Sequence, residues 1–345
     1  MIKSIQFILL FLLILAFGCK KDEDGSSAPE YTIVNNGGAG TTSITDVDDD
    51  EPLDVAQAVP SESNEAYPKN IVIMFFLNDK VYLNSLVDNF IVTVNGTIVG
   101  GTITVNEASN GYAILIFTPA KEFGAGKEIV VTLKSGIQDD GGNGFVTDFE
   151  ITFTTTAGSA GSFDDNTGFE NGDLGVTFMG DGAILSGTHG SVGPVSGSKF
   201  ATITSGNALV SSGYAIGGAT SMVILGPIDT DVSSLSFDFD FVSSEFNDYV
   251  GSIYDDCAVF TICGPNGAYS ELIASVNTIG DIGNTQCLNF AGLPDAGDGY
   301  AGHTGWQHKT LSLDDIGSPA YIIFTVTDVS DLIFSSALTL DNISY

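Results

Sequence analysis

The stretch Phe237-Asp238-Phe239-Asp240-Phe241 decides the fold of the larger part of this 345-residue chain. Three phenylalanines alternate with two aspartates, and strict alternation is the period of a β-strand that is buried on one face. We expect the strand to send the three rings into a core and to turn Asp238 and Asp240 towards solvent. This geometry argues against a catalytic pair formed by these two carboxylates.

The sequence pattern around this strand predicts that the second half of the chain is a domain built of β-strands alone. No stretch keeps a helical period for more than a single turn. Further apolar runs predict strands at 258–262, 272–276, 321–327 and 337–343. A jelly-roll-like β-sandwich over residues 157–345 is the simplest fold that these strands can form.

A separate run of short strands precedes this domain. Apolar runs punctuated by turns predict strands at 71–76, 90–94, 98–105, 113–118, 129–133 and 149–155. Six or seven strands in about ninety residues is the count of a β-sandwich. Asn95-Gly96 between two alternating runs is the strongest hairpin signal in the chain.

Three segments of this first region resemble one known family. The sequences FTPA (117–120), GKEIVVTLKSGIQDDGGNG (126–144) and FEITFTTT (149–156) resemble the SbsA-type bacterial Ig-like domains. The resemblance covers residues 54–156 and implies an Ig-like β-sandwich that acts as a spacer or a weak binding module. It implies no catalytic residue, and Asp139, Asp140 and Asn143 are typical turn formers.

The N-terminus predicts export and a lipid anchor. Lys3 and an apolar run of about a dozen residues form a signal peptide over residues 1–18, too short to span a bilayer comfortably. Leu15-Ala16-Phe17-Gly18-Cys19 resembles the bacterial lipobox, which implies that Cys19 is acylated. The run 20–24, Lys-Lys-Asp-Glu-Asp, resembles an export signal for surface lipoproteins. It favours an outer-membrane, surface-exposed location over the periplasmic face.

Residues 19–53 are rich in Gly, Ser, Thr and Asp and lack hydrophobic periodicity, which predicts a flexible tether between the lipid and the folded part. Asp46, Asp48 and Asp50 have the alternate spacing of a calcium loop. The glycine turn and the distal glutamate of an EF-hand are missing, so an acidic linker is the favoured interpretation.

Composition excludes two classes of partner. The chain has 43 acidic residues against 10 basic ones, a formal net charge of -33, and every basic residue is a lysine. A strongly negative surface without guanidinium groups repels phosphate backbones and cannot make bidentate contacts to them. Nucleic-acid binding is therefore excluded. Nucleotide binding is not expected, because no phosphate-binding glycine loop is present.

A first calcium site is predicted in the second domain. In a jelly roll the first and last strands are commonly neighbours, so Glu170, Asp173 and Asp341 can converge on one hard cation. The layout resembles the structural calcium site of carbohydrate-binding jelly rolls, where an FE-G-D opening and a terminal LDN-I strand recur. The alternative is that these acids are surface residues beside a turn and on a final strand.

The segment 241–256, FVSSEFNDYVGSIYDD, resembles the choice-of-anchor families of secreted and surface β-sandwich domains. Gly305-Trp306 and the tail to Asp341-Asn342 extend the resemblance, while Cys257 departs from it. The resemblance implies a module rather than a reaction. Its acids, Glu245, Asp248, Asp255 and Asp256, form a possible second cation site, with an ordinary acidic loop as the favoured alternative.

The cysteines of an exported protein favour a disulfide. Cys257 and Cys263 lie six residues apart on one predicted strand, about 20 Å at roughly 3.3 Å per residue, so they cannot pair with each other. Cys287 therefore pairs with one of them. Cys263 is preferred, because a Gly-Pro-Asn-Gly turn follows it.

These observations favour a non-catalytic surface lipoprotein that binds a glycan or a cell-surface protein. The candidate aromatic platform for a sugar is Trp306, Tyr300, Tyr249 and Tyr254. Of the three histidines, His189, His303 and His308, the two beside Trp306, His303 and His308, are expected to be surface polar residues. Two alternatives remain: a glycoside-directed hydrolase with an unrecognised carboxylate pair, and a purely structural spacer.

Overall fold

Nearly every regular element in the described part of this chain is a β-strand, as the sequence predicts. A computed structural model describes residues 31–36, 51–60, 66–67, 69, 71, 73–107, 113–139, 141–157, 163–206, 220–246, 248–282, 285–287, 301–329 and 334–345. The helical elements are short: three 3₁₀ turns (Leu83–Leu86, Phe163–Asp165 and Val276–Thr278) and one four-residue helix, α1 (Ile279–Ile282). Within these ranges no helix has the length and apolarity needed to cross a membrane.

Ten strands form a first β-sandwich of two five-stranded sheets. They are β1 (Tyr31–Asn36), β2 (Val55–Val59), β3 (Ala66–Tyr67), β4 (Ile73–Leu77), β5 (Phe90–Val94), β6 (Thr97–Ile98), β7 (Gly101–Glu107), β8 (Ala113–Pro119), β9 (Glu128–Leu133) and β10 (Phe149–Thr155). One sheet has the order β1-β7-β8-β4-β2 and the other the order β3-β10-β9-β5-β6. The phenylalanines Phe75, Phe90 and Phe117 pack against one another between the two sheets.

The predicted Asn95-Gly96 hairpin is confirmed. Strands β5 and β6 are antiparallel, with Val94 opposite Thr97. Asn95 and Gly96 have φ values of 48° and 78°. Positive φ at both central residues is the requirement of the type I′ turn, which asparagine and glycine satisfy with the least strain.

The tether prediction is wrong for Tyr31–Asn36. These residues form β1, which pairs in parallel with β7 from Tyr31 opposite Gly101 to Asn36 opposite Asn106. The Tyr31 hydroxyl accepts a hydrogen bond from the Val92 backbone N–H at 3.1 Å, and Tyr31 and Ile33 pack on the core of the first sandwich. Alternating side chains over so short a run are a weak signal, and the strand forms because an edge of the sheet is available to it.

Twelve strands form a second, larger sandwich. They are β11 (Val176–Met179), β12 (Asp181–Ser186), β13 (Lys199–Thr204), β14 (Thr220–Ile228), β15 (Ser234–Ser243), β16 (Cys257–Gly264), β17 (Gly267–Ser275), β18 (Thr285–Cys287), β19 (Ala301–His303), β20 (Gln307–Ser312), β21 (Ala320–Thr327) and β22 (Ser336–Ser344). A five-stranded sheet has the order β11-β14-β21-β16-β17. A seven-stranded sheet has the order β12-β13-β22-β15-β19-β18, and β20 also pairs with β15.

The core of the second sandwich confirms the alternation of β15. Phe237, Phe239 and Phe241 all face the space between the two sheets. Phe237 stacks on Phe260 with ring centroids 5.4 Å apart and meets Phe324 edge to face at 4.9 Å. Together with Ile262 and Val326, these rings belong to one continuous apolar cluster.

The two sandwiches pack against each other through a third apolar cluster, which we call the interdomain cluster. Its buried members are Val59, Met74, Ile114, Ile116, Met179, Met222, Ile224, Cys263, Tyr321 and Ile323. The first four come from β2, β4 and β8, and the others from the five-stranded sheet of the second sandwich. Each group lies on the sheet face that points away from its own core, so the first sandwich is a packed neighbour of the second.

Candidate functional site

The outer face of the seven-stranded sheet, opposite to the Phe237 core, is covered rather than open to solvent. Asp238 and Asp240 point to this face and are only 7% and 1% exposed, so the expectation that they lie in solvent is wrong. The His303 Nδ1 atom lies 2.8 Å from Asp240 Oδ2, and the His308 Nδ1 atom lies 2.6 Å from Asp238 Oδ1. A buried carboxylate needs such partners, because an unpaired one is strongly disfavoured.

His303 is buried with Asp240, whereas the expectation of a surface residue fits the His308 side chain, which is 60% exposed. Thr304 completes the arrangement: its hydroxyl donates to Asp240 Oδ1 at 3.2 Å and accepts from the Phe241 backbone N–H at 3.0 Å. Sequence reasoning missed these pairs because the histidines are about seventy positions downstream. The one sequence signal for such partners was that Asp238 and Asp240 alternate with buried residues on the same strand.

The loop 187–198, which joins β12 to β13, covers part of this face. Val192 of this loop packs with Phe200, Val242 and Ala337 in a small apolar cluster on the outer face of the sheet. A short backbone bridge between His189 and Val192 shapes its tip. The loop therefore packs on the outer face of the sheet, and its opposite side faces away from the sheet.

A cleft of about 670 Å³ lies along this loop. Its lining residues are Ser186, Gly187, Thr188, Ser191, Gly193, Pro194, Gly197, Ser198 and Trp306. The Trp306 indole Nε1 donates a hydrogen bond to the Gly193 carbonyl at 2.8 Å, and its ring meets Phe200 edge to face with centroids 6.2 Å apart. The structure thus places one predicted platform residue in a cleft with three serines and a threonine. None of the described lining side chains carries a charge.

Glu170 and Asp341, predicted as calcium ligands, both bind the backbone of the loop segment behind this cleft. Glu170 Oε1 accepts the backbone N–H groups of Ser198 at 2.7 Å and Lys199 at 2.9 Å, and Oε2 accepts the Ser198 hydroxyl at 2.8 Å. Asp341 Oδ2 accepts the N–H groups of Val195 at 2.7 Å and Ser196 at 2.9 Å.

The electrostatics of the two carboxylates differ. Glu170 is exposed, and its hydrogen bonds from Ser198 hold its pKa below the usual value. Asp341 is fully buried, and burial raises its pKa although three backbone N–H groups oppose the effect. Both groups serve as acceptors for backbone donors, which is the strong, charge-assisted kind of hydrogen bond.

Asp173, the third predicted ligand, is exposed, and its backbone carbonyl accepts the Val176 N–H at 3.0 Å. In the part of the chain that the structure describes, no three His, Cys, Asp or Glu side chains are grouped as metal ligands. Calcium at Glu170, Asp173 and Asp341 therefore stays a prediction.

The second predicted cation set also serves local structure. Asp256 is buried and accepts the Val329 N–H at 2.8 Å and the Ser336 hydroxyl at 2.7 Å. Asp255 accepts the Asn277 N–H at 2.9 Å. Glu245 is buried and Asp248 is exposed, so the four carboxylates occupy different environments. Calcium binding by this set is likewise a prediction.

The other platform candidates lie apart from Trp306. Tyr249 and Tyr254 pack edge to face, with centroids 5.5 Å apart, on the loop that follows β15, and neither lines the Trp306 cleft. Tyr300, Cys19, Asp46, Asp48 and Asp50 lie outside the described residues.

The preferred disulfide between Cys263 and Cys287 is not formed. Cys263 is a free, fully buried thiol in the interdomain cluster, and Cys257 is free as well. Cys263 lies on the outer face of the five-stranded sheet, whereas Cys287 belongs to β18 of the seven-stranded sheet. Burial raises the pKa of Cys263 to about 12 and that of Cys257, beside Asp256 and Asp255, to about 11.

Comparison with known proteins supports the Ig-like part of the sequence prediction. Residues 49–155 match the family model of the bacterial Ig-like domain. This range spans β2 to β10 of the first sandwich. No curated protein matches the chain.

Solved structures that match about half of the chain include two carbohydrate-binding modules and an adhesin domain. TmCBM61, solved in complex with β-1,4-galactotriose, has 8% identity and a TM-score of 0.29, with 53% of this chain and 95% of that one covered. CBM28, specific for non-crystalline cellulose, has 11% identity and a TM-score of 0.29, with 52% and 90% covered. The K1 cleaved adhesin domain of Lys-gingipain from Porphyromonas gingivalis W83 has 14% identity and a TM-score of 0.28, with 51% and 95% covered.

Proposed function

We propose that this chain is a non-catalytic bacterial surface lipoprotein whose second sandwich binds a neutral oligosaccharide in the Trp306 cleft. The observation that carries the proposal is the cleft itself. It combines one aromatic ring with the side chains of Ser186, Ser191, Ser198 and Thr188. An aromatic face binds the apolar face of a sugar ring, and hydroxyl groups exchange hydrogen bonds with sugar hydroxyls.

The size and charge of the cleft favour a small, neutral ligand. The cleft is shallow and open to solvent, and its volume of about 670 Å³ is of the same order as the roughly 300–1,000 Å³ of small-molecule sites. The chain carries a formal net charge of -33, and Glu170 and Asp341 lie directly behind the cleft loop. An anionic glycan would therefore be repelled, whereas a neutral one would not.

Trp306 is the single tryptophan of the chain, so its fluorescence reports on the cleft alone. We expect neutral β-linked gluco- or galacto-oligosaccharides to change this emission, and charged oligogalacturonates to leave it unchanged. By calorimetry, Trp306→Ala should weaken binding by about 2 kcal/mol or more, roughly thirtyfold, as is usual for a buried tryptophan contact.

Tyr269→Ala is the matched control, because Tyr269 is a 39% exposed aromatic residue of β17 outside the cleft lining. Its binding should equal that of the wild type. Failure of every neutral oligosaccharide to bind, or full binding by Trp306→Ala, would overturn the proposal.

The lipid anchor rests on the sequence around Cys19. We propose that Cys19 is acylated and that the acidic run after it directs the protein to the outer face of the outer membrane. Cys19→Ala should move the protein from the membrane fraction to the soluble one, and Cys257→Ala should not. Retention of Cys19→Ala in the membrane would refute the anchor, and protection from protease added to intact cells would refute surface display.

A further inference from the structure

One wall of the Trp306 cleft is the loop segment 193–199, which we call the cleft wall. Four of the lining residues belong to it: Gly193, Pro194, Gly197 and Ser198. Before β13 begins at Lys199, the Gly187 N–H donates to the Ser198 carbonyl at 3.0 Å, so the C-terminal end of the segment extends the pairing of β12 with β13. Side chains from other parts of the fold also bind its backbone.

Three side chains hydrogen-bond to the backbone of the cleft wall at points along its length. The Trp306 indole binds the Gly193 carbonyl at 2.8 Å. The Asp341 carboxylate, on β22, accepts the backbone N–H groups of Val195 and Ser196. The Glu170 carboxylate, in the turn before β11, binds the N–H groups of Ser198 and Lys199.

The two carboxylates come from elements that are fixed next to each other. The Ile343 N–H donates to the Thr167 carbonyl at 2.9 Å, which joins the end of β22 to the segment that carries Glu170. The two acids thus lie on one support and hold neighbouring parts of one loop.

Gly197 allows the close approach on the Glu170 side. Its φ is +64°, and a Cβ atom at this position would collide with Glu170 Oε1. A side chain at this position would strain the backbone and would push the Glu170 carboxylate away from its hydrogen bonds, so glycine is favoured. Glu170 also fixes the Ser198 side chain, because its Oε2 accepts the Ser198 hydroxyl that borders the cleft.

We infer that Glu170 and Asp341 are positioning residues of the cleft, which fix its wall before a ligand arrives. This inference rests on the proposed function and deepens it. Neither carboxylate lines the cleft, so each acts through the cleft wall rather than on the sugar. A wall that is already ordered lowers the entropic cost of binding, because the ligand does not have to order the loop.

The test compares the full chain with Glu170→Ala, Glu170→Gln and Asp341→Asn, and with Glu271→Ala as a matched control. Glu271 binds Lys309 at 2.6 Å on another edge of the same sandwich. Two readouts need no ligand: amide hydrogen exchange at 195–199, and quenching of Trp306 fluorescence by acrylamide. The third is the dissociation constant for the oligosaccharide that binds the wild type best.

Glu170→Ala should speed exchange at Ser198 and Lys199, raise quenching of Trp306, and weaken binding about tenfold. Glu170→Gln keeps an acceptor oxygen and should recover part of the affinity, whereas Glu271→Ala should leave all three readouts unchanged. Because Glu170 is exposed, its variants should fold even where the buried Asp341→Asn does not.

Unchanged exchange and quenching in Glu170→Ala would overturn the inference, as would an equal loss of affinity in Glu271→Ala. If the wild type binds no oligosaccharide, the proposed function fails by itself. The positioning role is then decided by exchange and quenching alone: faster exchange with more quenching supports it, and unchanged values refute it.

Discussion

Met74 tests whether the two sandwiches unfold as one unit. It lies on β4 between Ile73 and Phe75, which face the core of the first sandwich, and it points the other way into the interdomain cluster. Its side chain is 0% exposed. Since Met74 is outside the core of its own domain, its burial depends on the second sandwich.

Replacing a buried methionine by alanine costs about 2–5 kcal/mol, because packing is lost and a cavity remains. At the lower end, about 2 kcal/mol, Met74→Ala should lower the Tm by about 3 °C if both sandwiches unfold as one unit of roughly 300 residues, at about 2.1 cal/mol/K of unfolding entropy per residue. Met74→Asp places an unpaired carboxylate in the cluster and should separate the sandwiches. Calorimetry should then show two transitions where the wild type shows one.

Cys263 gives an independent readout of the same event, because it is a buried member of the interdomain cluster. Its raised pKa and its burial keep it unreactive in the wild type. Met74→Asp should make Cys263 react with maleimide, as located by mass spectrometry, and Val146→Asp, at an 80% exposed position of the first sandwich, should not. Two wild-type transitions, or an unreactive Cys263 in Met74→Asp, would refute the coupling.

Two further predictions concern Asp341 and calcium. The folded-state pKa of Asp341 is raised, so its contribution to stability is fully present below its ordinary pKa of 3.8 and is lost as pH rises through the folded value. Relative to Asp341→Asn, the wild type should therefore gain stability on acidification from pH 7. A difference in unfolding free energy between the two proteins that does not change with pH would contradict this. Calcium at 100 times its dissociation constant should stabilise the protein by about 2.7 kcal/mol, reversibly with chelator. An unchanged Tm would refute calcium binding at both predicted sets of acidic residues.

The fold was predictable wherever short-range patterns decide it. The Asn95-Gly96 turn follows from the backbone angles that these two residues tolerate, and the inward direction of Phe237, Phe239 and Phe241 follows from alternation alone. The exposure of Asp238 and Asp240 was not predictable in this way. Alternation tells which residues share a face, but not that distant side chains, here His303, Thr304 and His308, pack on the two carboxylates of that face.

For the candidate site, the sequence predicted which residues take part, but not which groups those residues bind. Trp306 was expected as a sugar platform, and it lines a cleft. Glu170 and Asp341 were expected to meet, and they do approach one segment, because the turn at Thr167 lies beside the end of β22. Their partners are backbone N–H groups of residues 195–199, which no side-chain pattern in the sequence reveals.

The role of the acidic residues follows from the scarcity of cations. With 43 acids and 10 lysines, most carboxylates cannot be neutralised by an ion pair. The buried ones bind backbone N–H groups, hydroxyls or histidines instead, as Asp341, Asp256 and Asp240 do. Glycine-rich loops suit this use, because they let backbone N–H groups approach a carboxylate closely, as Gly197 does at Glu170. Acidity and glycine content, which look like separate traits of the composition, thus act together to fix the loop that borders the Trp306 cleft.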